Sequence, residues 1–266
     1  MKFADSTRLQ AHGVHVGYGA RAVLDGIDFA VPDRAVTAII GPNGCGKSTL
    51  LRTLGHTLRP RAGHVSLDGA SLHHVAPKQL ARRVAMLPQA PTAPEGITVV
   101  DLVARGRQPY QSWLRQWSVE DEAAVRRALD LTGTTSLAFD TLDSLSGGQQ
   151  QRVWIAFVVA QDSDILLLDE PTTFLDLAHA IEVLRLIETL HEDSGRTIVM
   201  VLHDLNLAVQ YAQHLVVLQD GSIVTQGAPV DVLTADLLFD VFGLSAQVIQ
   251  NPVGDGILVV PTKQPF

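Results

Sequence analysis

Residues 41–49 read GPNGCGKST, between an apolar segment, AVTAII, and an apolar-periodic one. The run fits G-x-x-x-x-G-K-[ST] in the strand-to-helix setting that a phosphate-binding loop requires. Glycines let backbone N–H groups curl around phosphates. On this reading the cradle is built from Gly41, Pro42, Asn43, Gly44, Cys45 and Gly46. Lys47 reaches the β- and γ-phosphates, the Ser48 hydroxyl holds Mg²⁺, and Thr49 completes the nucleotide contacts. Cys45 is expected to lie exposed in the cradle, its thiolate favoured by the helix and by Lys47.

A second set of candidates ends apolar runs. ILLLDEP, 165–171, places Asp169 and Glu170 together at a strand tip. Two such carboxylates can divide labour, Asp169 orienting the Mg²⁺ shell and Glu170 polarising a water against the γ-phosphate. An acidic turn that caps the next helix has the same composition. His203 in LHD follows TIVMV, and Gln89 follows VAMLP. A histidine there can donate to a γ-phosphate, and a neutral amide can touch Mg²⁺ or water. Each is also an ordinary strand-end polar residue. Tyr18, 23 residues before Gly41, offers a ring that can stack on adenine or pack a strand end.

SLSGGQQQRVWIAF, 144–157, opens a helix. Ser146 and Gln149 have the spacing of a capping box. Gly147 and Gly148 are not explained by a cap, since each glycine costs a helix about 1 kcal/mol relative to alanine. They bare N–H groups at the positive end of the helix, which makes a second anion socket.

The positioning elements follow from periodicity. LQAHGVHVGY and AVLDGIDFAV alternate as strands joined by small turns, and AVTAII is a buried strand. From about 97 to 145 the pattern is helical, with Ser118 capping SVEDEAAVRRALDLTG. Strand and helix then alternate through DILLLDE, LAHAIEVLRLIETL, RTIVMVLHD, LNLAVQYA and HLVVLQDG. Their strands are continuous apolar runs, as expected of parallel strands covered on both faces. Asp220–Gly221 reads as a hairpin turn and 244–266 as short strands. The expected fold is an α/β P-loop core with an N-terminal antiparallel β subdomain. It forms one domain over 1–266, with a helical subdomain inserted at 92–160.

Composition sets bounds. The chain has 266 residues, 46% of them hydrophobic and 18% charged, and a formal net charge of −8. Acidity disfavours broad nucleic-acid binding. Cys45 is the single cysteine, which rules out an intrachain disulfide. The longest apolar run, VWIAFVVA, is far too short to span a bilayer. A soluble or peripheral protein is expected.

Tyr18, the P-loop, Gln89, LSGGQ, ILLLDE and His203 occur in an order that resembles the nucleotide-binding subunit of ABC transporters, over about residues 8–245. The resemblance implies an ATPase using ATP and Mg²⁺. In it Tyr18 stacks on adenine, Glu170 is the catalytic base, Asp176 of FLD is the dimer-contact aspartate and His203 the switch histidine. It also implies a head-to-tail homodimer in which the P-loop of one copy and the SGGQ of the other sandwich one ATP. The second socket is then for the partner's nucleotide.

The segments 105–129, 170–179 and 203–227 resemble importers of iron–siderophore complexes, haem and cobalamin, with iron–siderophore first. Implied partners are membrane permease subunits and, indirectly, a substrate-binding protein. The implied location is the cytoplasmic face of the cell membrane, as a peripheral subunit. A short permease helix is expected on 90–117, where PTAPEGIT reads as a hinge and Arg105, Arg107, Tyr110, Trp113, Arg115 and Trp117 as an exposed surface. The competing readings are a basic–aromatic nucleic-acid surface, a soluble ABC ATPase acting on ribosomes or DNA, and a P-loop kinase. The last has no use for LSGGQ.

Overall fold

A computed structural model describes residues 7–112 and 117–263. The chain forms two compact units, one from the residues up to His74 together with those from Thr197 on, the other Val75–Arg196.

The first unit begins with β1 (Thr7–Tyr18) and β2 (Arg21–Pro32), paired antiparallel. β3 (Val36–Ile40) is buried at every residue and runs into the loop that opens α1 (Lys47–Leu54). Leu50, Leu51 and Leu54 of α1 have no exposed surface. Each contributes about 1.5–3 kcal/mol of burial, which fixes the helix that carries Lys47. β4 (Ala62–Leu67) and β5 (Ala70–Ser71) extend the antiparallel sheet, in the order β2-β1-β4-β5.

The second unit holds α2 (Pro77–Ala81), β6 (Val84–Leu87), α3 (Val99–Arg105), α4 (Val119–Leu131), α5 (Gly147–Ala160), β7 (Ile165–Leu168) and α6 (Leu177–Ser194). β6 and β7 pair in parallel, Leu87 opposite Leu168. The helix starts carry the chemistry that the sequence announces. Ser118 and Asp121 form a capping box on α4, and Ser146 and Gln149 form one on α5. α6 ends at Gly195, whose φ of 62° is the left-handed region that glycine enters without strain.

The chain then returns to the first unit with β8 (Thr197–Val201), α7 (Leu205–Tyr211), β9 (His214–Gln219) and β10 (Ser222–Gly227). β10, β9, β3 and β8 lie in that order, β3 parallel to both its neighbours and β10 antiparallel to β9. The β9–β10 turn is Asp220–Gly221 as expected, with φ of 47° and 79°. α8 (Pro229–Val232), α9 (Ala235–Phe242) and the hairpin β11 (Ala246–Gln250)–β12 (Ile257–Pro261) complete the chain. The architecture is the expected mixed α/β core with an N-terminal antiparallel sheet and inserted helices.

Candidate functional site

In the first unit the site is a loop that only glycine can build. Gly41, Gly44 and Gly46 have φ of 153°, 76° and 110°. A Cβ on Gly41 would fall on the Leu218 carbonyl oxygen, and one on Gly46 would stand 2.7 Å from Leu24 Cδ2. Gly44 has nothing within 4 Å and is exposed beside Asn43. Two glycines therefore serve the seating of the loop and one its open side. Gly46 precedes α1 without a side-chain cap, so the first-turn N–H groups are left to an anion.

Lys47 is 5% exposed. Its Nζ donates to the carbonyls of Gly41 at 2.8 Å and Pro42 at 2.9 Å, so the ammonium is held against the loop. Ser48 is half-buried and Thr49 buried.

The expectation for Cys45 is corrected. The residue is 6% exposed, and burial pushes its thiol up, outweighing the pull of nearby Lys47. Packing around the loop turns the side chain inward, toward the space that a Gly41 side chain would need. Its backbone joins the loop to its surroundings: the Cys45 carbonyl accepts from Gly221 N–H, and the Gly221 carbonyl accepts from Asp25 N–H.

Tyr18 ends β1 opposite Arg21 and is 47% exposed, which leaves ring surface for stacking. His203 lies two residues beyond β8 and is exposed. Leu202 N–H donates to the Ile39 carbonyl and Asp204 caps α7, which fixes the backbone on both sides of the histidine.

In the second unit Asp169 follows β7 directly and is 3% exposed. Its N–H donates to the Leu87 carbonyl, continuing the β6–β7 ladder. Glu170 takes φ of 53°, a left-handed conformation that costs a non-glycine residue about 1–2 kcal/mol. Its Oε2 accepts from Gln89 Nε2 at 2.7 Å and from Thr173 Oγ1 at 2.9 Å. The structure thus brings Gln89 and Glu170 together across 81 residues of sequence. Thr173 is a contact that sequence reasoning missed; the available signal was its i+3 spacing from the glutamate in a turn.

Mg²⁺ takes hard oxygen donors and keeps several waters. The Ser48 hydroxyl and the Asp169 carboxylate fit that preference. So does the Gln89 amide oxygen, because its nitrogen is engaged by Glu170.

At the start of α5 the two capping side chains are reciprocally bonded: Ser146 N–H donates to Gln149 Oε1 at 2.9 Å, and Gln149 N–H to Ser146 Oγ at 3.4 Å. Ser146 and Gly147 are exposed and Gly148 is buried. Asp176 is the N-cap of α6. Its Oδ1 accepts from His179 N–H and faces His179 Nδ1, both at 2.9 Å, which holds the carboxyl below the usual aspartate range.

The expected permease surface on 90–117 is corrected at Arg107. Its side chain is buried. Nε donates to Asp121 Oδ1 at 2.9 Å, Nη1 to the Ala160 carbonyl at 2.8 Å, and the guanidinium lies 3.8 Å from the Tyr110 ring centre. Arg82 lies 4.9 Å from the same ring centre and donates to the Pro109 carbonyl. Arg107 is an interior clamp on the start of α4 and the end of α5, because a buried aspartate and a helix-end carbonyl demand a fork of donors. Arg105 is exposed and Trp117 is 49% exposed. Trp113 and Arg115 lie outside the described residues. Among the described residues no helix is long and apolar enough to cross a membrane.

Comparison with known proteins finds a match of residues 24–173 to the ABC transporter family model. The chain is 50% identical to the ferric enterobactin transport ATP-binding protein FepC of Escherichia coli, over 96% of this chain and 94% of that protein. It is 49% identical to the achromobactin transport ATP-binding protein CbrD of Dickeya dadantii, over 96% and 95%. Among solved structures, a metal-chelate type ABC transporter in an inward-facing conformation aligns with a TM-score of 0.82 at 29% identity. That alignment covers 96% of this chain and 97% of that one.

Proposed function

Because the chain belongs to the ABC transporter family and is an ATP-hydrolysing subunit of that family, we propose that two copies of it drive uptake of an iron–siderophore complex through separate membrane permease subunits. The chain works peripherally at the cytoplasmic face of the membrane, and a substrate-binding protein delivers the complex from the other side. The two relatives above, named for transport of ferric enterobactin and achromobactin, support the substrate class.

Each ATP is held by the P-loop of one copy and the Ser146–Gly148 socket of the other, with Asp176 in the contact between copies. The observation that carries this reading is that each chain has an uncapped, glycine-opened loop with Lys47 folded over it and, at Ser146–Gly147, an exposed, glycine-opened helix start. One of each makes two composite sites in a homodimer.

Tyr18 stacks on adenine, and Lys47 exchanges its two carbonyl acceptors for β- and γ-phosphate oxygens. Ser48, Asp169 and Gln89 would hold Mg²⁺, which would supply charge neutralisation at the phosphates. Glu170 accepts a proton from the attacking water as that oxygen bonds the γ-phosphorus and the bond to ADP breaks. His203 donates to the γ-phosphate, and Gln89 links the state of Glu170 to the segment that follows it. The helical subdomain at 92–160 receives the permease through the exposed residues around Arg105 and Trp117.

Glu170→Gln tests the core of this reading. ATP binding stays, turnover falls by about 10²–10⁴-fold, and an ATP-dependent dimer accumulates on size-exclusion chromatography. Turnover at the parent rate removes Glu170 from the role. A strain lacking the chain should lose uptake of radio-iron given as ferric siderophore. Retained iron uptake with lost haem or cobalamin uptake reassigns the substrate.

A further inference from the structure

The two glycines that open α5 have different surroundings. A Cβ on Gly147 would meet nothing nearer than Leu175 Cδ2 at 4.0 Å. A Cβ on Gly148 would stand 2.8 Å from His179 Cδ2 and 3.1 Å from its Cγ. Carbon atoms in contact sit about 3.5–4.0 Å apart, so no side chain fits at 148 while the ring is there. Gly147 leaves space for a ligand; Gly148 admits a histidine ring from α6.

The opposite edge of that ring is also held. Nδ1 lies 2.9 Å from Asp176 Oδ1, the oxygen that accepts the residue's own N–H. One imidazole therefore bears on the start of one helix and is tied to the N-cap of another. The ring cannot turn away from Gly148 without giving up Asp176, and Asp176 cannot leave its cap position without giving up its contact with the ring. The capping box of Ser146 and Gln149 stiffens the same turn of α5 from within.

We propose that His179 is a positioning residue that locks the Ser146–Gly148 socket to the N-cap of α6, so that the surface offered to a second copy's nucleotide and Asp176 are presented as one rigid unit. The proposal rests on the reading that this socket receives the ATP of a second copy. His179 itself touches no nucleotide. It acts by fixing where the Gly147 N–H and the Ser146 side chain stand when that ATP arrives.

The test is ATP-dependent dimerisation, measured by analytical ultracentrifugation in the Glu170→Gln background. His179→Ala should weaken the dimer by about tenfold, within the range of coupled contacts. ATP affinity of the monomer and the thermal midpoint should stay close to the parent's, which separates positioning from bulk stability. His179→Asn, whose amide reproduces the Nδ1 and Cδ2 positions, should restore the dimer. Gly148→Ala should weaken it further, and Gly148→Ala with His179→Ala should be no worse than Gly148→Ala alone, because the clash is gone.

A dimer of parental stability in His179→Ala overturns the proposal. So does strict additivity of the two changes, or failure of His179→Asn to restore. If Gly148→Ala does not fold, the comparison of His179→Ala with His179→Asn decides. Absence of any ATP-dependent dimer in the Glu170→Gln background overturns the two-copy reading and the proposal with it, whereas a dimer indifferent to residue 179 overturns the proposal alone.

Discussion

Replacing Arg107 with methionine removes the guanidinium's hydrogen bonds to Asp121 and to the Ala160 carbonyl and the cation over Tyr110 but keeps most of the side-chain volume. The side chains of Arg107 and Asp121 are 6% and 1% exposed, so the aspartate is left as an uncompensated buried charge. Breaking a buried pair in this way costs about 3–5 kcal/mol. Two smaller losses add to it: the Ala160 carbonyl loses its Nη1 donor and Tyr110 loses one of the two guanidiniums over its ring.

The sign of the pH dependence follows from Asp121. Burial pushes its carboxyl up, but hydrogen bonds from Arg107 and Ser118 overcome that and hold it below the usual range. In the parent the pair therefore stabilises the fold above the ordinary aspartate value, and that contribution is lost as pH falls through the lowered one. In the variant the bonds from Arg107 are gone while burial and the bonds from Ser118 remain, so this acid-side loss should be smaller than in the parent.

Urea unfolding followed by tryptophan fluorescence, to which Trp154, buried in α5, contributes, reads the loss. Adding Asp121→Asn to Arg107→Met should recover most of it, because the amide carries no charge and still serves Ser118. A single variant within about 1 kcal/mol of the parent, or full additivity of the two changes, refutes the argument.

Lys47→Ala should lower ATP affinity at least about tenfold, since a charge-assisted hydrogen bond contributes roughly 1.5–3 kcal/mol; titration with a fluorescent nucleotide checks it. Cys45 should react with a thiol reagent only at the rate at which the loop opens, and faster as pH rises, because its raised thiol is protonated at neutral pH. Labelling at the rate of a free thiol in the folded protein contradicts the inward orientation. Thr173→Val removes the Thr173 donor from Glu170 Oε2 and should lower kcat while leaving KM nearly unchanged; steady-state phosphate release separates the two.

What the sequence revealed was what local chemistry enforces. The P-loop, the Ser146–Gln149 capping box, the Ser118 cap, the Asp220–Gly221 turn and the buried strands β3, β7 and β8 depend on residues close in the chain, and they stand where spacing put them. What it hid depends on distant partners. Arg107 and Arg105 look alike in a basic–aromatic run, yet only Arg107 meets a buried aspartate 14 residues on and a carbonyl 53 residues on. Gly148 looks like Gly147 until α6 brings His179 against it. Cys45 reads as loop until its side chain is seen to turn inward.

Tips of two-residue hairpins are the usual places to splice in a tag or open a chain for permutation. The β9–β10 tip is closed to both. Gly221 is buried, its N–H and carbonyl bridge Cys45 of the P-loop to Asp25 of β2, and a side chain there would strike the Val23 carbonyl. An insertion at 220–221 would unseat the phosphate loop while leaving every loop residue unchanged, and would pass for a nucleotide-binding defect. The exposed stretch 252–256, between β11 and β12, is the place in this unit to attach a label without touching the loop.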